Sequence, residues 1–156
     1  MKSIAKLLGT SFGFGYAPVA PGTFGTLFGV LIYLIIYHFQ PLFINYYLIG
    51  LSILGTIIGT WCCKMVAEEW GHDPGKIVLD ESVGIWITLL FIPFHWGYIV
   101  AAFVLFRFFD ILKPLGIKKL DEEMDTALSV MLDDVLAGVY AWIVLQLIIK
   151  GLPYFI

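Results

Sequence analysis

Between Lys6 and Lys64 the chain carries no Asp, Glu, Lys or Arg. A soluble domain has about a quarter of its residues charged and does not leave so long a stretch bare. Two further runs, 82–106 and 135–149, are equally free of charge. A membrane span needs roughly 20 apolar residues. The first run is therefore too long for one span, and Gly, Pro and Gln divide it. Across 156 residues the chain is 60% hydrophobic and only 13% charged. These observations predict one all-α, integral membrane domain over residues 1–156, with no separate soluble unit. A net charge of -3 without any basic run excludes a nucleic-acid surface. The first six residues lack a signal-peptide plan. Cys62 and Cys63 are adjacent and read as small apolar helix residues. His38, His72 and His95 stand apart and read as interfacial or loop residues.

About five membrane helices are expected: two hairpins and a last span. Residues 10–26 are rich in Gly and Pro and predict a loop or re-entrant element. The first helix runs from about Thr26 to Phe39 and the second from about Phe43 to Met65, with Gln40-Pro41 as the turn. Because the first is short, its start is expected to reach back into the loop or the membrane to thin locally. Residues 64–76 are polar. The third helix runs from about Ile77 to Phe91 and the fourth from about Gly97 to Leu112, ended by Pro114 and Gly116. Residues 118–125 form a surface helix or loop, and a fifth helix covers about Ser129 to Ile149.

Residues 82–106 could instead make one span, but Pro93 and His95-Trp96-Gly97 favour a hairpin. With the hairpin, eight of the nine Lys and Arg fall on one side and only Lys150 on the other. The positive-inside rule assigns that side to the cytoplasm. All twelve Asp and Glu fall there as well.

Four clusters converge on that face. Asp80 and Glu81 are adjacent carboxylates at the mouth of an apolar run, where an ion is costly unless something offsets it. Arg107, Asp110 and Lys113 are spaced i, i+3, i+6 along one helix stripe. Asp133 and Asp134 open the last helix. The Gly/Pro loop brings Thr23 and Thr26. Carboxylates clustered without His or Cys call for a hard cation, Mg²⁺ first, with Mn²⁺ or Ca²⁺ possible. Mg²⁺ completes its shell with water and phosphate oxygens. Arg107 and Lys113 are natural phosphate partners, and a Gly-rich loop can add backbone N–H groups. The residues alone thus point to phosphoryl chemistry at a cytoplasmic membrane face. Each cluster also has a plainer reading, as helix cap, internal ion pair or packing glycine; their convergence favours the functional one.

The motifs resemble those of the phosphatidylglycerophosphatase A family. Residues 17–26, APVAPGTFGT, are similar to its SPxxPGTxGS segment. Residues 77–84, IVLDESVG, are similar to IVxDExxG; residues 106–114, FRFFDILKP, to FRxxDxxKP; and residues 131–138, MLDDVLAG, to (I/L)DDxxAG. They occur in the family's order and cover most of the chain. Ala17 and Thr26 stand where the family often has Ser, which leaves Thr23 as the better hydroxyl candidate. The resemblance implies a Mg²⁺-dependent phosphatase of the bacterial inner membrane that converts phosphatidylglycerophosphate to phosphatidylglycerol. Expected metal ligands are Asp80, Glu81 and Asp134, with Asp133 and Asp110 as further ligands. Arg107, Lys113 and Thr23 are expected to hold the phosphate. Water, oriented by a carboxylate such as Asp80, Glu81, Asp110 or Asp134, is expected to attack phosphorus; an aspartyl-phosphate route is the rival. A cation- or proton-coupled transporter is the alternative class, since intramembrane acids mark transporters too. The half of the spans away from that face, however, offers only His38, His95, Asn45 and scattered Ser and Thr, which argues against a continuous path.

Overall fold

The computed structural model describes residues 1–71, 74–113 and 126–151. Pro114, Gly116, the polar segment 118–125, His72 and Asp73 lie outside them. The described residues form six α-helices and no strand: α1 Lys2–Gly9, α2 Pro21–Phe39, α3 Ile44–Trp70, α4 Leu79–Thr88, α5 Trp96–Leu112 and α6 Ala127–Gly151. Short 3₁₀ turns at Phe14–Tyr16 and Pro41–Phe43 precede α2 and α3.

Among the described residues three segments are long and apolar enough to cross a membrane: Pro21–Phe39, Pro41–Trp70 and Ala127–Gly151. Of the about five membrane helices expected, α4 is too short to be a full span. Helix α4 has only 10 residues, about 15 Å of rise, against a hydrocarbon core of about 30 Å. It stops at Thr88, and residues 89–95 turn back before α5, so the hairpin reading of 82–106 holds. The first span does reach back into the Gly/Pro segment, because Pro21 occupies the first turn of α2, where its missing N–H costs nothing. The last begins earlier than expected: Thr126 accepts the Ser129 N–H through its hydroxyl, placing the helix start two turns ahead of Asp133. Helix α1 is an addition that the sequence reading did not anticipate.

Helix α4 is the hub. Eight of its ten residues are buried, as expected of a helix apolar nearly all round. It packs against α2, α3 and α6 on its three sides, with α5 behind Phe106. Polar side chains fasten it to neighbouring backbone. Ser82 Oγ donates to the Gly25 carbonyl at 2.9 Å, and Trp86 Nε1 donates to the Gly29 carbonyl at 2.9 Å. Thr88 Oγ1 donates to the carbonyls of Gly84 at 2.9 Å and Gly138 at 3.3 Å. In a setting without water such bonds substitute for solvation of the carbonyls. Close backbone approach makes them possible. A Cβ on Gly138 would stand 2.5 Å from the Gly84 carbonyl oxygen, so α4 and α6 cross at their glycines.

The outward faces are apolar. Leu27, Leu31 and Ile35 of α2, and Ile53, Leu54 and Ile57 of α3, are all exposed, a surface that water would not tolerate at this extent. At the end of the bundle where α3 begins, Tyr37 stacks on Phe94 at 4.1 Å, Trp142 Nε1 donates to the Leu90 carbonyl and the Phe91 N–H donates to Asn45 Oδ1. Cys62 and Cys63 are buried and free of disulfide, as small apolar helix residues. His38 and His95 are exposed at the same end, and His95 caps α5 by accepting the Gly97 N–H.

Gly138→Ala should destabilise the fold by about 1–3 kcal/mol through overpacking. Gly50→Ala, where a Cβ meets nothing within 4 Å, should leave the melting temperature unchanged or slightly raised. Thermal unfolding of the two purified variants in detergent checks the contrast.

Candidate active site

The chain direction alternates from helix to helix, so the start of α2, the end of α3, the start of α4, the end of α5 and the start of α6 share one end of the bundle. The four charged or Gly-rich clusters meet there. Asp80 and Glu81 lie in the first turn of α4, where unsatisfied backbone N–H groups favour carboxylates. Asp80 Oδ1 accepts the Glu81 N–H at 3.1 Å. Asp133 and Asp134 sit two turns inside α6 and are 5% and 4% exposed; Asp133 Oδ1 accepts the Asp134 N–H at 2.9 Å. Carboxylate oxygens of Asp80, Glu81 and Asp134 all lie within 4.8 Å of one another. They line a cavity of about 190 Å³ together with Asp110, Lys113, Asp133, Gly75, Ile77 and Val130.

The basic groups arrive from α5. Arg107 Nη1 is bonded to Asp110 Oδ2 one turn on and lies 3.9 Å from Glu81 Oε1. Lys113 does not continue the stripe expected of an i, i+3, i+6 series. It takes the left-handed conformation that ends α5 (φ 43°, ψ 53°), which turns its ammonium across to Asp133 Oδ2. Each cation is thus already matched to one aspartate. The trio of Asp80, Glu81 and Asp134 is matched mainly to Arg107 at long range.

Three carboxylates this close repel one another by about 3 kcal/mol per pair at an effective dielectric of about 20. Two buried atoms here have no hydrogen-bond partner among the described residues, Glu81 Oε2 and Arg107 Nε. An all-oxygen donor set, one member of it unpartnered and none of it His or Cys, fits a hard divalent cation of the Mg²⁺, Mn²⁺ or Ca²⁺ type. The unpartnered guanidinium N–H fits an anion beside it.

Helix α2 closes the site on the side of Glu81. A Cβ on Gly22 would collide with Glu81 Oε1 and stand 2.9 Å from Arg107 Nη1. Any larger residue here would push aside the ends of both side chains, and the place of Gly22 just after Pro21 was the sequence signal for it. Thr23 follows on the first turn of α2, half-buried, but does not line the acidic cavity. Thr26 is buried and spends its hydroxyl on the Gly22 carbonyl at 2.9 Å. Gly75, Ile77 and Val130 were not singled out from sequence; as apolar or flexible wall residues they carry no chemical signature.

The segment leading into Asp80 is held from the N-terminal side. The Val78 N–H donates to the Gly9 carbonyl at 2.9 Å, and the Ser11 hydroxyl lies 3.3 Å from that of Ser82 and 3.4 Å from the Val78 carbonyl.

Comparison with known proteins bears on this site. The sequence model of the family described as Phosphatidylglycerophosphatase A matches residues 7–149. A protein of Bacteroides thetaiotaomicron, provisionally named a phosphatidylinositol-3-phosphatase, is 44% identical over 144 residues, covering 89% of each chain. A phosphatidylglycerophosphatase A of Haemophilus influenzae is 44% identical over 140 residues, 88% of this chain and 84% of the relative. One of Escherichia coli is 37% identical over 153 residues, 96% of this chain and 81% of the relative. No solved structure matches.

If the trio holds a divalent cation, adding Mg²⁺, Mn²⁺ or Ca²⁺ should raise the melting temperature of the purified protein. At about a hundred times Kd the gain is about 2.7 kcal/mol. Asp134→Asn should abolish most of that gain while the metal-free protein melts at the same temperature or higher, because one like charge has gone. Thermal titration with each ion checks both.

Proposed function

Because the chain belongs to the phosphatidylglycerophosphatase A family and is a phosphatase, we propose that it hydrolyses the terminal phosphomonoester of phosphatidylglycerophosphate, with Mg²⁺, at the cytoplasmic face of a bacterial inner membrane. The observation that carries this reading is the trio Asp80, Glu81 and Asp134 beside the Arg107 guanidinium at one end of an apolar bundle. In this reading Asp80, Glu81 and Asp134 hold the cation, with Asp110 and Asp133 within reach of the same cavity. A divalent ion bound there supplies positive charge to the phosphoryl oxygens. Arg107 and Lys113 bind the phosphate and stabilise the charge that grows on it during transfer. The Thr23 hydroxyl, on the first turn of α2, adds a donor on the Gly22 side. A carboxylate of the cluster orients the attacking water and takes its proton. The apolar outer faces of α2 and α3 keep the diacylglycerol tail in the bilayer while the headgroup reaches the site. The cytoplasmic orientation is supported by the basic residues gathered at this end, Lys2, Lys6, Lys64, Lys76, Arg107 and Lys113, with Lys150 at the other.

The relative named for phosphatidylinositol 3-phosphate is as similar as the phosphatidylglycerophosphatase of H. influenzae. Both names describe a lipid phosphomonoester, so that class is the firmer part of the substrate assignment and headgroup choice is the part to test.

Purified protein in mixed micelles should release phosphate from phosphatidylglycerophosphate with Mg²⁺ and stop with chelator, and phosphatidylinositol 3-phosphate should be the poorer substrate. Faster turnover of the inositol lipid would reassign the headgroup. Asp80→Ala, Glu81→Ala and Asp134→Ala should each lower phosphate release by at least about 10³-fold, the scale of losing a major transition-state interaction. Near-normal turnover in all three would sink the site. Single-turnover hydrolysis in ¹⁸O water separates the two chemical routes: ¹⁸O in phosphate alone is expected, and ¹⁸O in an Asp side chain would establish the covalent one.

A further inference from the structure

Helix α1 and the turn after it display apolar side chains in a way that water does not explain. Ile4, Leu7 and Phe12 are 57%, 50% and 61% exposed. The opposite flank of α1 is well partnered. Ala5 and Gly9 are buried, with Cys62 of α3 beneath Gly9; Lys2 Nζ donates to Glu68 Oε2 at 2.8 Å and Lys6 Nζ to Glu69 Oε2; and the Lys6 and Lys76 ammonium groups lie 5.1 and 5.2 Å from the Trp70 ring centre. The helix is therefore amphipathic, with every charge on its inner edge.

The turn that follows is strained in order to point Phe12 outward. Ser11 and Phe12 both adopt left-handed backbone, φ 48° and 60°, a conformation that side-chain-bearing residues seldom take. Backbone bonds from the Ser11 N–H to the Leu8 carbonyl and from the Phe12 N–H to the Leu7 carbonyl hold it there. The exposed patch is continuous with the lipid-compatible surface of the spans. Leu8 and Phe12, together with Phe28, Leu54 and Ile58, line a wholly apolar cleft of about 250 Å³ between α1, α2 and α3.

We propose that α1 and Phe12 lie in the boundary layer of the bilayer, with Ile4, Leu7 and Phe12 among lipid acyl chains and the Lys2, Lys6, Glu68 and Glu69 ion pairs at headgroup level. The partner is the acyl layer of the lipid. The patch is apolar, runs without a break into the outer faces of α2 and α3, and ends at a row of charges, the order of environments across an interface. The inference rests on the reading of α2 and α3 as membrane spans.

The test uses the full chain reconstituted in phosphatidylcholine/phosphatidylglycerol vesicles. Single spin labels are placed through Ile4→Cys, Leu7→Cys and Phe12→Cys, with Leu54→Cys as the lipid reference and Glu68→Cys as the headgroup-level reference. Cys62 and Cys63 are 0% and 1% exposed, and the unsubstituted protein is carried through labelling to measure their background. Collision with oxygen, which concentrates in lipid, is compared with collision with a water-soluble nickel chelate. The expected oxygen-to-nickel ratio at positions 4, 7 and 12 is closer to that at Leu54 than to that at Glu68. Nickel-dominated collision at positions 4 and 7 with oxygen-dominated collision at Leu54 would overturn the proposal, whether or not Phe12→Cys reconstitutes. Nickel-dominated collision at Leu54 as well would overturn the membrane reading beneath it.

Discussion

Everything at the working end of this molecule follows from mutual repulsion among carboxylates brought together on purpose. Asp80, Glu81, Asp110, Asp133 and Asp134 share one small cavity with Lys113, and Arg107 lies at its edge. Desolvation makes each charge expensive, and proximity adds several kcal/mol more. Two cations cannot neutralise five anions. A bound divalent ion offsets the surplus directly, which is why the charge imbalance is itself an argument about ligand chemistry. The rest of the fold can be read as the apparatus that keeps these groups from moving apart.

That apparatus is mostly backbone. Helix α4 is too short to span a bilayer and is apolar nearly all round, so it has no independent reason to be helical in one place. Its position is set by glycines and small hydroxyls: Ser82 on the Gly25 carbonyl, Trp86 on the Gly29 carbonyl, and Gly84 against Gly138. Lipid offers no hydrophobic force to push helices together, so close packing and buried hydrogen bonds must do so. The Gly84–Gly138 crossing bears directly on the site. It lies one turn beyond Asp80 on α4 and one turn beyond Asp134 on α6, so the approach of the two backbones sets the separation of the two carboxylates.

The sequence revealed the long-wavelength features and the identity of the charged groups. Uncharged runs marked a helical membrane domain, Pro93 and Gly97 marked the hairpin, and the clusters Asp80-Glu81, Arg107–Lys113 and Asp133-Asp134 were found where the structure brings them together. Helix α1 was missed because eight residues with two lysines carry too little apolar length to register as a span, and its stability comes from partners on α3. Lys113 was placed on the α5 stripe, whereas its backbone is left-handed and its ammonium pairs with Asp133 of another helix, a tertiary contact that spacing along one helix does not encode. The length of α4 was overestimated because an apolar run looks the same whether it ends in a turn or continues. Gly22 was seen as a loop glycine, whereas its role depends on Glu81 and Arg107 arriving from two other helices.

The pairing pattern divides the acidic residues into two kinds. Asp110 and Asp133 each hold a cation, Arg107 and Lys113 respectively. Among the described residues Asp80 and Asp134 pair closely with no cation, Glu81 has only Arg107 at 3.9 Å, and Glu81 keeps an oxygen without a partner. A residue engaged in a close ion pair must release or share it to ligate a metal, whereas the contacts of the trio are looser: the 3.9 Å approach of Arg107 to Glu81 and the Glu81 N–H on Asp80 Oδ1. Conversely, a phosphate arriving between Arg107 and Lys113 meets side chains already fixed by their aspartates. It can use their remaining N–H groups, including the unpartnered Nε of Arg107, with little reordering. Preset geometry of this sort is most valuable where charge develops during reaction, because no rearrangement is then required at the transition state. On this argument the proposed roles divide: Asp110 and Asp133 would hold in place the cations proposed to bind phosphate, and the three remaining carboxylates would form the proposed seat for the metal.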